Sequence, residues 1–169
     1  MTVTIRAALP ADVRGIDRLV EPMTHTGILL GKDLVSYYEA VQEFLVAIDD
    51  DGQIVGCGAL HVMWEDLAEV RTLAVHESQR GTGLGHRLLT SLLERAAQLG
   101  LQRVFCLTFE VDFFSRHGFE VMSDVVDPEL YNQLLRSPDE GIAEFLDLAR
   151  VKPNTLGNTR MVKTLERES

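Results

Sequence analysis

The stretch AVHESQRGTGLGHRLL, residues 74–89, decides how the rest of the chain is read. Three glycines at alternate positions, Gly81, Gly83 and Gly85, separate an apolar run of strand character from one of helical character. Glycine lacks a Cβ, so it takes up left-handed backbone and lets a ligand approach the main chain. The first N–H groups of a helix have no partner within it and carry partial positive charge. Bare amides at that place make an anion cradle suited to phosphates.

Three phosphate motifs compete for these residues. A Walker loop needs Lys and then Ser or Thr after its last glycine, where His86 and Arg87 stand. A dinucleotide fingerprint wants a third glycine three positions after the second. His86 occupies that place, and the unit lies mid-chain instead of opening a βαβ array. The third pattern is Arg or Gln, two residues, Gly, one residue, Gly or Ala. The run Arg80, Gly81, Thr82, Gly83, Leu84, Gly85 meets it in full, four residues after VRTLAV. This loop resembles the coenzyme A loop of the GNAT N-acetyltransferases. The alternative is a glycine-rich turn without a ligand, although three glycines exceed what a turn needs.

The 169 residues contain no Pro- or Ser-rich linker, so one domain over 1–169 is expected. Hydrophobic residues form 46% of the chain, ample for one core. No apolar run approaches the ~20 residues of a membrane span. The start, MTVTIRAALPADVRG, has charges within its apolar run and no signal-peptide core, so a cytoplasmic location is expected. Cys57 and Cys106 fall in strand-like runs and read as buried free thiols. A net charge of −10 argues against nucleic acid as a partner, without excluding an anionic cofactor held by local amides and arginines. The five histidines, His25, His61, His76, His86 and His117, show no metal spacing and read as structural or surface groups.

Periodicity gives a strand at VTIRAA and a helix at 10–23 with Ile16, Leu19 and Val20 on one stripe. A short helix follows at 32–41, then a hairpin of EFLVAID and QIVGCGALHVMW across DDDG. LAEVRTLAV is the next strand. The helix after the glycine loop has its apolar stripe at Leu84, Leu88, Leu92, Ala96 and Leu99 and stops at Gly100. QRVFCLTF, a short helix VDFFSRHG, strand FEVMS, helices at 128–135 and 139–150, and a closing strand TRMVKTL complete the chain. The plan is α/β, a mixed sheet with helices on both faces, in the acetyltransferase order.

The likeness extends beyond the loop. FFSRHGF is similar to the GNAT family's Phe-Tyr, three residues, Gly-Phe signature. The short LTFEVDFF connection, GILLGKD near the start and KPNTLGNTRM near the end resemble the single-domain N-acetylglutamate synthases. That resemblance implies direct attack of an amine on the thioester of acetyl-CoA, with no metal and no acyl-enzyme. Small molecules, acetyl-CoA and L-glutamate or L-glutamine, are then the partners, with no nucleic acid or membrane, and a homodimer is compatible.

It also implies roles. The strand would offer main chain to pantetheine at Leu73, Ala74 and Val75, with the Leu73 N–H facing the carbonyl oxygen. Arg80, Gly81, Thr82, Gly83, Leu84, Gly85 and His86 would cradle the phosphates, and Phe114 would wall the pantetheine. Phe114 stands where many relatives have Tyr, so no acid is expected there; a thiol with pKa near ~8.5 can leave close to neutral pH. A period of two puts Glu69, Arg71, Leu73 and Val75 on one strand face and Val70, Thr72 and Ala74 on the other. Glu69 is the base candidate, acting through water, and Glu110 is its rival; an exposed Glu69–Arg71 ion pair is the plainer alternative. Lysines are scarce, so Lys32, with Arg71 and Arg160, is a candidate carboxylate cation. Asn154 and Asn158 could add amide bonds or simply cap a turn. Two other readings stay open: an acetyltransferase for another amine, such as a peptide N-terminus or a small molecule, and a non-catalytic acetyl-CoA sensor.

Overall fold

The computed structural model describes residues 2–29, 32–122, 127–139, 142, 145 and 158–166. Within them lies a seven-stranded sheet in the order β1-β2-β3-β4-β5-β7-β6. The strands are β1 (Thr4–Ala7), β2 (Phe44–Ile48), β3 (Ile54–Trp64), β4 (Leu67–Val75), β5 (Arg103–Thr108), β6 (Glu120–Val121) and β7 (Thr159–Thr164). The helices are α1 (Val13–His25), α2 (Leu34–Glu39), α3 (Leu84–Gln98), α4 (Val111–Ser115) and α5 (Pro128–Leu134). The expected helix at 139–150 falls mostly outside the described residues.

Local chemistry explains the ends of these elements. Asp49 Oδ1 accepts from the amides of Asp51 and Gln53, and Gly52 at φ +78° closes the β2–β3 hairpin. At the C-terminus of α3, Gly100 takes φ +78° and the Leu101 N–H donates to the Ala96 carbonyl. That Schellman closure turns Leu101 inward, 5% exposed. Leu99 is 55% exposed, so it does not belong to the buried stripe; Leu89 does, beside Leu84, Leu88, Leu92 and Ala96. A strict four-residue step drifts around a 3.6-residue helix, which carries its last member off the core face.

Two apolar layers sandwich the sheet. The buried face of α3 packs on Leu60, Ala68, Val70, Val104 and Cys106, while Val13, Ile16, Leu19 and Val20 of α1 pack on Val46, Cys57, Ala59 and Ala74. Each fully buried Leu or Ile contributes roughly 1.5–3 kcal/mol. Gly58 has a packing reason: a Cβ there would lie 2.8 Å from Leu92 Cδ1 and 3.1 Å from Leu73 Cδ1. Both cysteines are buried free thiols; burial raises Cys57 to about 12 and also pushes Cys106 up.

Two features of β4 open the sheet. It pairs in parallel with β5 only at Leu67–Arg103, Ala68–Val104 and Glu69–Phe105, after which both strands continue apart. Against β3 it carries a bulge: Cys57 pairs with Ala74 and Ala59 with Arg71, so Thr72 and Leu73 together oppose Gly58. Thr72 has φ +52°, a left-handed conformation that costs a non-glycine residue ~1–2 kcal/mol. The Thr72 carbonyl accepts from Cys57 Sγ at 3.3 Å.

The bulge overturns the simple alternation. Leu73 and Val75 pack with Leu84 and Leu88 on the α3 face, the side of Val70. Ala74 lies in the α1 layer. The extra residue shifts the period, so Glu69 and Arg71 do not share a face with Leu73 and Val75.

Candidate active site

Where β4 and β5 part, a cleft of about 640 Å³ opens. Strand β4 lines it from Glu69 to Val75, and Cys106 to Glu110, Phe113 and Phe114 line the opposite side. Arg80, Gly81 and Gly85 close one end, while Lys32 and Asn158 line it too. The β4 main chain beyond Glu69 has no β5 partner, which leaves an edge available to an extended amide-bearing chain.

The glycine loop enters the cleft through a turn at Glu77–Gln79, steadied by the Thr82 hydroxyl donating to the Gln79 carbonyl at 2.6 Å. Gly81 at φ +76° and Gly83 at φ +81° take left-handed backbone that a side chain would strain. Gly85 serves another purpose: its missing Cβ would sit 3.4 Å from the Phe113 ring. The first N–H groups of α3, at Leu84, Gly85 and His86, have no helical partner and point out of the helix start. The His86 ring stacks on His117 with Nδ1 and Nε2 2.7 Å apart, and Phe113 packs beside both. Phe114 is buried and walls the cleft.

At the other end, charged groups are buried together. Glu69 is 4% exposed and Arg71 8%, so their contact is an interior ion pair and not a surface one. The Arg71 Nε–H donates to Glu69 Oε1; Nη1 and Nη2 donate to Asp139 Oδ2 and Oδ1 at 3.0 and 2.6 Å. A guanidinium has five N–H donors; three are used, which leaves two. Glu69 Oε2 is buried with no hydrogen-bond partner among the described residues.

The proton affinities follow. Burial raises Glu69 above the usual carboxylate range, opposed by Arg71 and His61. Burial would raise Asp139 as well, but the Arg71 hydrogen bonds hold it at about 2. Burial would lower Arg71; Glu69 and Asp139 reverse that and keep it charged. Lys32 is lowered by burial and by Arg71, with Asp139, Glu43 and Glu69 pulling the other way. A buried carboxylate with raised proton affinity and an oxygen outside the Arg71 contact is suited to accept a proton.

The other expected residues divide. Glu110 is exposed at the start of α4, with its N–H donating to Thr108 Oγ1 at 2.8 Å and no side-chain cap. Arg160 does not line the cleft: Nη1 donates to the Phe145 carbonyl at 3.1 Å and the guanidinium stands over that ring. It falls opposite Leu107 in the β5–β7 register. Asn154 lies outside the described residues. Phe113, Cys106, Thr108 and Asp139 join the site without having been expected. No helix among the described residues is long and apolar enough to cross a membrane, and no described cluster of His, Cys, Asp and Glu could hold a metal.

The acetyltransferase (GNAT) family model matches residues 20–119. An amino-acid acetyltransferase of Mycobacterium tuberculosis is 53% identical over 165 residues, covering 95% of this chain and 94% of that one. An amino-acid acetyltransferase of Aeromonas salmonicida is 33% identical over 138 residues; the match takes in 78% of this chain but 31% of that longer protein. Among solved structures, a Mycobacterium tuberculosis protein in complex with CoA and NLQ superposes with TM-score 0.91 at 51% identity, covering 96% of this chain and 99% of that one. The N-acetylglutamate synthase of Neisseria gonorrhoeae, complexed with coenzyme A and N-acetyl-glutamate, gives 0.78 at 26% identity over 99% of this chain and 36% of that one. With its splayed β4–β5 pair and glycine loop in place, this chain belongs to the acetyltransferase (GNAT) family and is an N-acetyltransferase that uses acetyl-CoA.

Proposed function

We propose that the chain, as one acetyltransferase domain over 1–169 in the cytoplasm, moves the acetyl group of acetyl-CoA to the α-amine of L-glutamate or L-glutamine, the first step of arginine biosynthesis. The observation that carries this is the pairing, in one cleft, of a buried carboxylate with a free oxygen, Glu69, and two cations, Lys32 and Arg71. A base and carboxylate-binding cations within one small space fit an α-amino acid, whose amine and acid group are joined by a single carbon. The names of the similar proteins support the same acceptor class.

The reaction takes an ammonium and a thioester to an amide, a thiol and one free proton. Glu69 Oε2 takes the proton from the amine, directly or through water, and the amine forms the C–N bond as the C–S bond breaks. The Leu73 N–H, presented by the bulge, faces the developing oxyanion. The sulfur leaves as thiolate, since Phe114 has nothing to donate, and takes up the second proton, which the nitrogen loses as the amide forms. Pantetheine runs along Leu73, Ala74 and Val75, with its phosphates at residues 80–86. Arg71 offers one remaining N–H group to the acceptor's carboxylate, and Asn158 stands at the same opening.

Thiol release from acetyl-CoA over a panel of amino acids, peptides and small amines tests the reading. Turnover with glutamate or glutamine well above the other amines is expected. Turnover confined to peptides or unrelated amines refutes the acceptor assignment. CoA binding without release from any amine leaves the sensor reading instead.

A further inference from the structure

Each turnover sets one proton free, yet the group proposed to take it is sealed in. Glu69 is 4% exposed at the base of a cleft that acetyl-CoA and the acceptor would fill. Its Oε1 belongs to Arg71, so a proton taken from the amine resides on Oε2, which has no partner among the described residues. Arg71 cannot take it onward, because a guanidinium holds no free lone pair for a proton. The base needs a second outlet.

The sheet supplies one. In the antiparallel register, His61 of β3 lies directly opposite Glu69 of β4. Directly opposed residues share a face, with Cβ atoms ~4.5–5.5 Å apart. The two side chains interact electrostatically. On its other side, His61 Nδ1 meets Glu43 Oε1 in a short contact. A carboxylate facing Nδ1 fixes the tautomer with the hydrogen on Nδ1 and the lone pair on Nε2. Exposure rises along the row: the Glu69 side chain is 5% exposed, that of His61 21% and that of Glu43 26%. His61 does not line the cleft, so it stands behind the base and not against the substrate.

We propose that His61, held by Glu43, is the proton outlet of the active site, carrying the proton of each turnover from Glu69 to solvent. This rests on Glu69 as the base. The amine gives its proton to Glu69 Oε2, and the carboxyl passes it through an intervening water to His61 Nε2, since Oε2 makes no direct hydrogen bond to the ring; this restores the carboxylate. The imidazolium, stabilised by Glu43, releases a proton to water and returns to the neutral ring. Nothing is oxidised or reduced, and one proton leaves per acetyl group moved. The charged groups around the relay are Glu43 beside β2, Glu69 and Arg71 of β4, Asp139 after α5 and Lys32 before α2. Imidazole suits the middle place because its two nitrogens can take a proton on one side while holding a carboxylate on the other.

The test is chemical rescue. Initial rates of thiol release with the preferred amino acid are measured in weak buffer for wild type, His61→Ala, Glu43→Gln and Glu69→Gln, each with added imidazole. His61→Ala should lose about ten-fold or more in kcat, in keeping with proton-transfer roles, with little change in either KM. Imidazole should restore its rate in proportion to concentration and leave wild type unaffected. Glu43→Gln should fall less and respond in the same way. A His61→Ala rate close to wild type overturns the proposal. So does a lower rate that imidazole does not raise in protein with a native circular dichroism spectrum, since that marks a packing role. Where His61→Ala does not fold, His61→Gln, which keeps a hydrogen bond to Glu43 but cannot relay, is judged by the same criteria. Glu69→Gln separates the two levels: an unchanged rate there refutes Glu69 as base, whereas its loss without rescue, beside a rescued His61→Ala, supports both.

Discussion

Arg71 is the residue whose removal tests both the packing and the chemistry of this site. It is 8% exposed and held by three hydrogen bonds, one to Glu69 and two to Asp139. Arg71→Ala leaves two acidic groups facing a void. Removing one partner of a buried ion pair costs about 3–5 kcal/mol, mainly through the uncompensated charge left behind. An exposed pair would cost less than ~1 kcal/mol. For a chain of this length, each kcal/mol shifts Tm by about 2–4 °C, so a fall of roughly 6–20 °C is expected. Asp139→Asn keeps the shape and removes one charge, and should cost clearly less, because Arg71 still satisfies Glu69. In the double-mutant cycle of Arg71→Ala with Asp139→Ala, the two effects should add to more than the double variant shows. Urea denaturation gives the stabilities. Kinetics well below the lowered Tm give the second readout: losing a charge-assisted bond to the acceptor is worth about 1.5–3 kcal/mol, ten-fold or more in kcat/KM. Acetyl-CoA affinity should stay within a few-fold. A stability loss below ~1 kcal/mol refutes the buried network, and an unchanged amino-acid KM removes Arg71 from the acceptor's binding, leaving Lys32 as the candidate for it.

Three further outcomes are expected. The wild-type pH–rate profile should rise through a pKa above the ordinary carboxylate range, because burial raises Glu69, and Glu69→Gln should lose that limb with roughly 10²–10⁴ in kcat; with Phe114 as no donor, a falling limb below about pH 9 in folded protein would reveal an acid elsewhere. Gly83→Val should weaken CoA binding by calorimetry and also lower Tm, since φ +81° costs a side chain ~1–2 kcal/mol; undiminished affinity refutes the cradle. Asp139 is depressed to about 2 from 3.8, so its contribution is complete above about pH 4 and lost as pH falls toward 2. With allowance for solvent screening it is on the order of 1–2 kcal/mol, and acid unfolding of Asp139→Asn should lack that component.

The readable parts of the sequence were those where one residue type has few uses. Glycines in alternation before an apolar helix announced the loop, and Ile16, Leu19 and Val20 at helical spacing announced the buried side of α1. Helix and strand order followed from periodicity and turn chemistry, both of which act over a few residues. What failed was of longer range. The reversal of faces after Arg71 comes from one extra residue at Thr72, and Thr is a strand former that gives no local sign of φ +52°. The cue lay on the neighbouring strand, where Gly58 makes room for Leu73, and only the pairing brings the two together. Asp139 is 68 residues from Arg71, and nothing in its surroundings distinguishes it from a solvated helix-start acid. Arg160 sat in a suggestive segment, but the β5–β7 register turned it toward Phe145.

The bulge and the parting of β4 from β5 belong to one solution. Parallel strands that stayed paired would consume the amides between Val70 and Val75 that point away from β3, and no cofactor chain could reach them. Parting the strands frees those groups but removes apolar cover, which the glycine loop, Phe113 and Phe114 partly restore around the opening. The bulge then divides the strand's labour. Before it, Glu69 and Arg71 point to the side where Lys32, His61 and Asp139 gather; after it, Leu73 and Val75 anchor the strand in the α3 layer. Without the extra residue, Leu73 would take the face of Arg71 and set an apolar side chain among those charges. The strain at Thr72 is therefore tied to keeping charge and core on opposite sides of one strand. Thr72→Gly tests the point: glycine accepts the left-handed backbone and keeps the bulge, so Tm should hold or rise with kcat little changed, whereas a clear fall in both would show that the Thr72 side chain itself, and not the conformation, sustains the site.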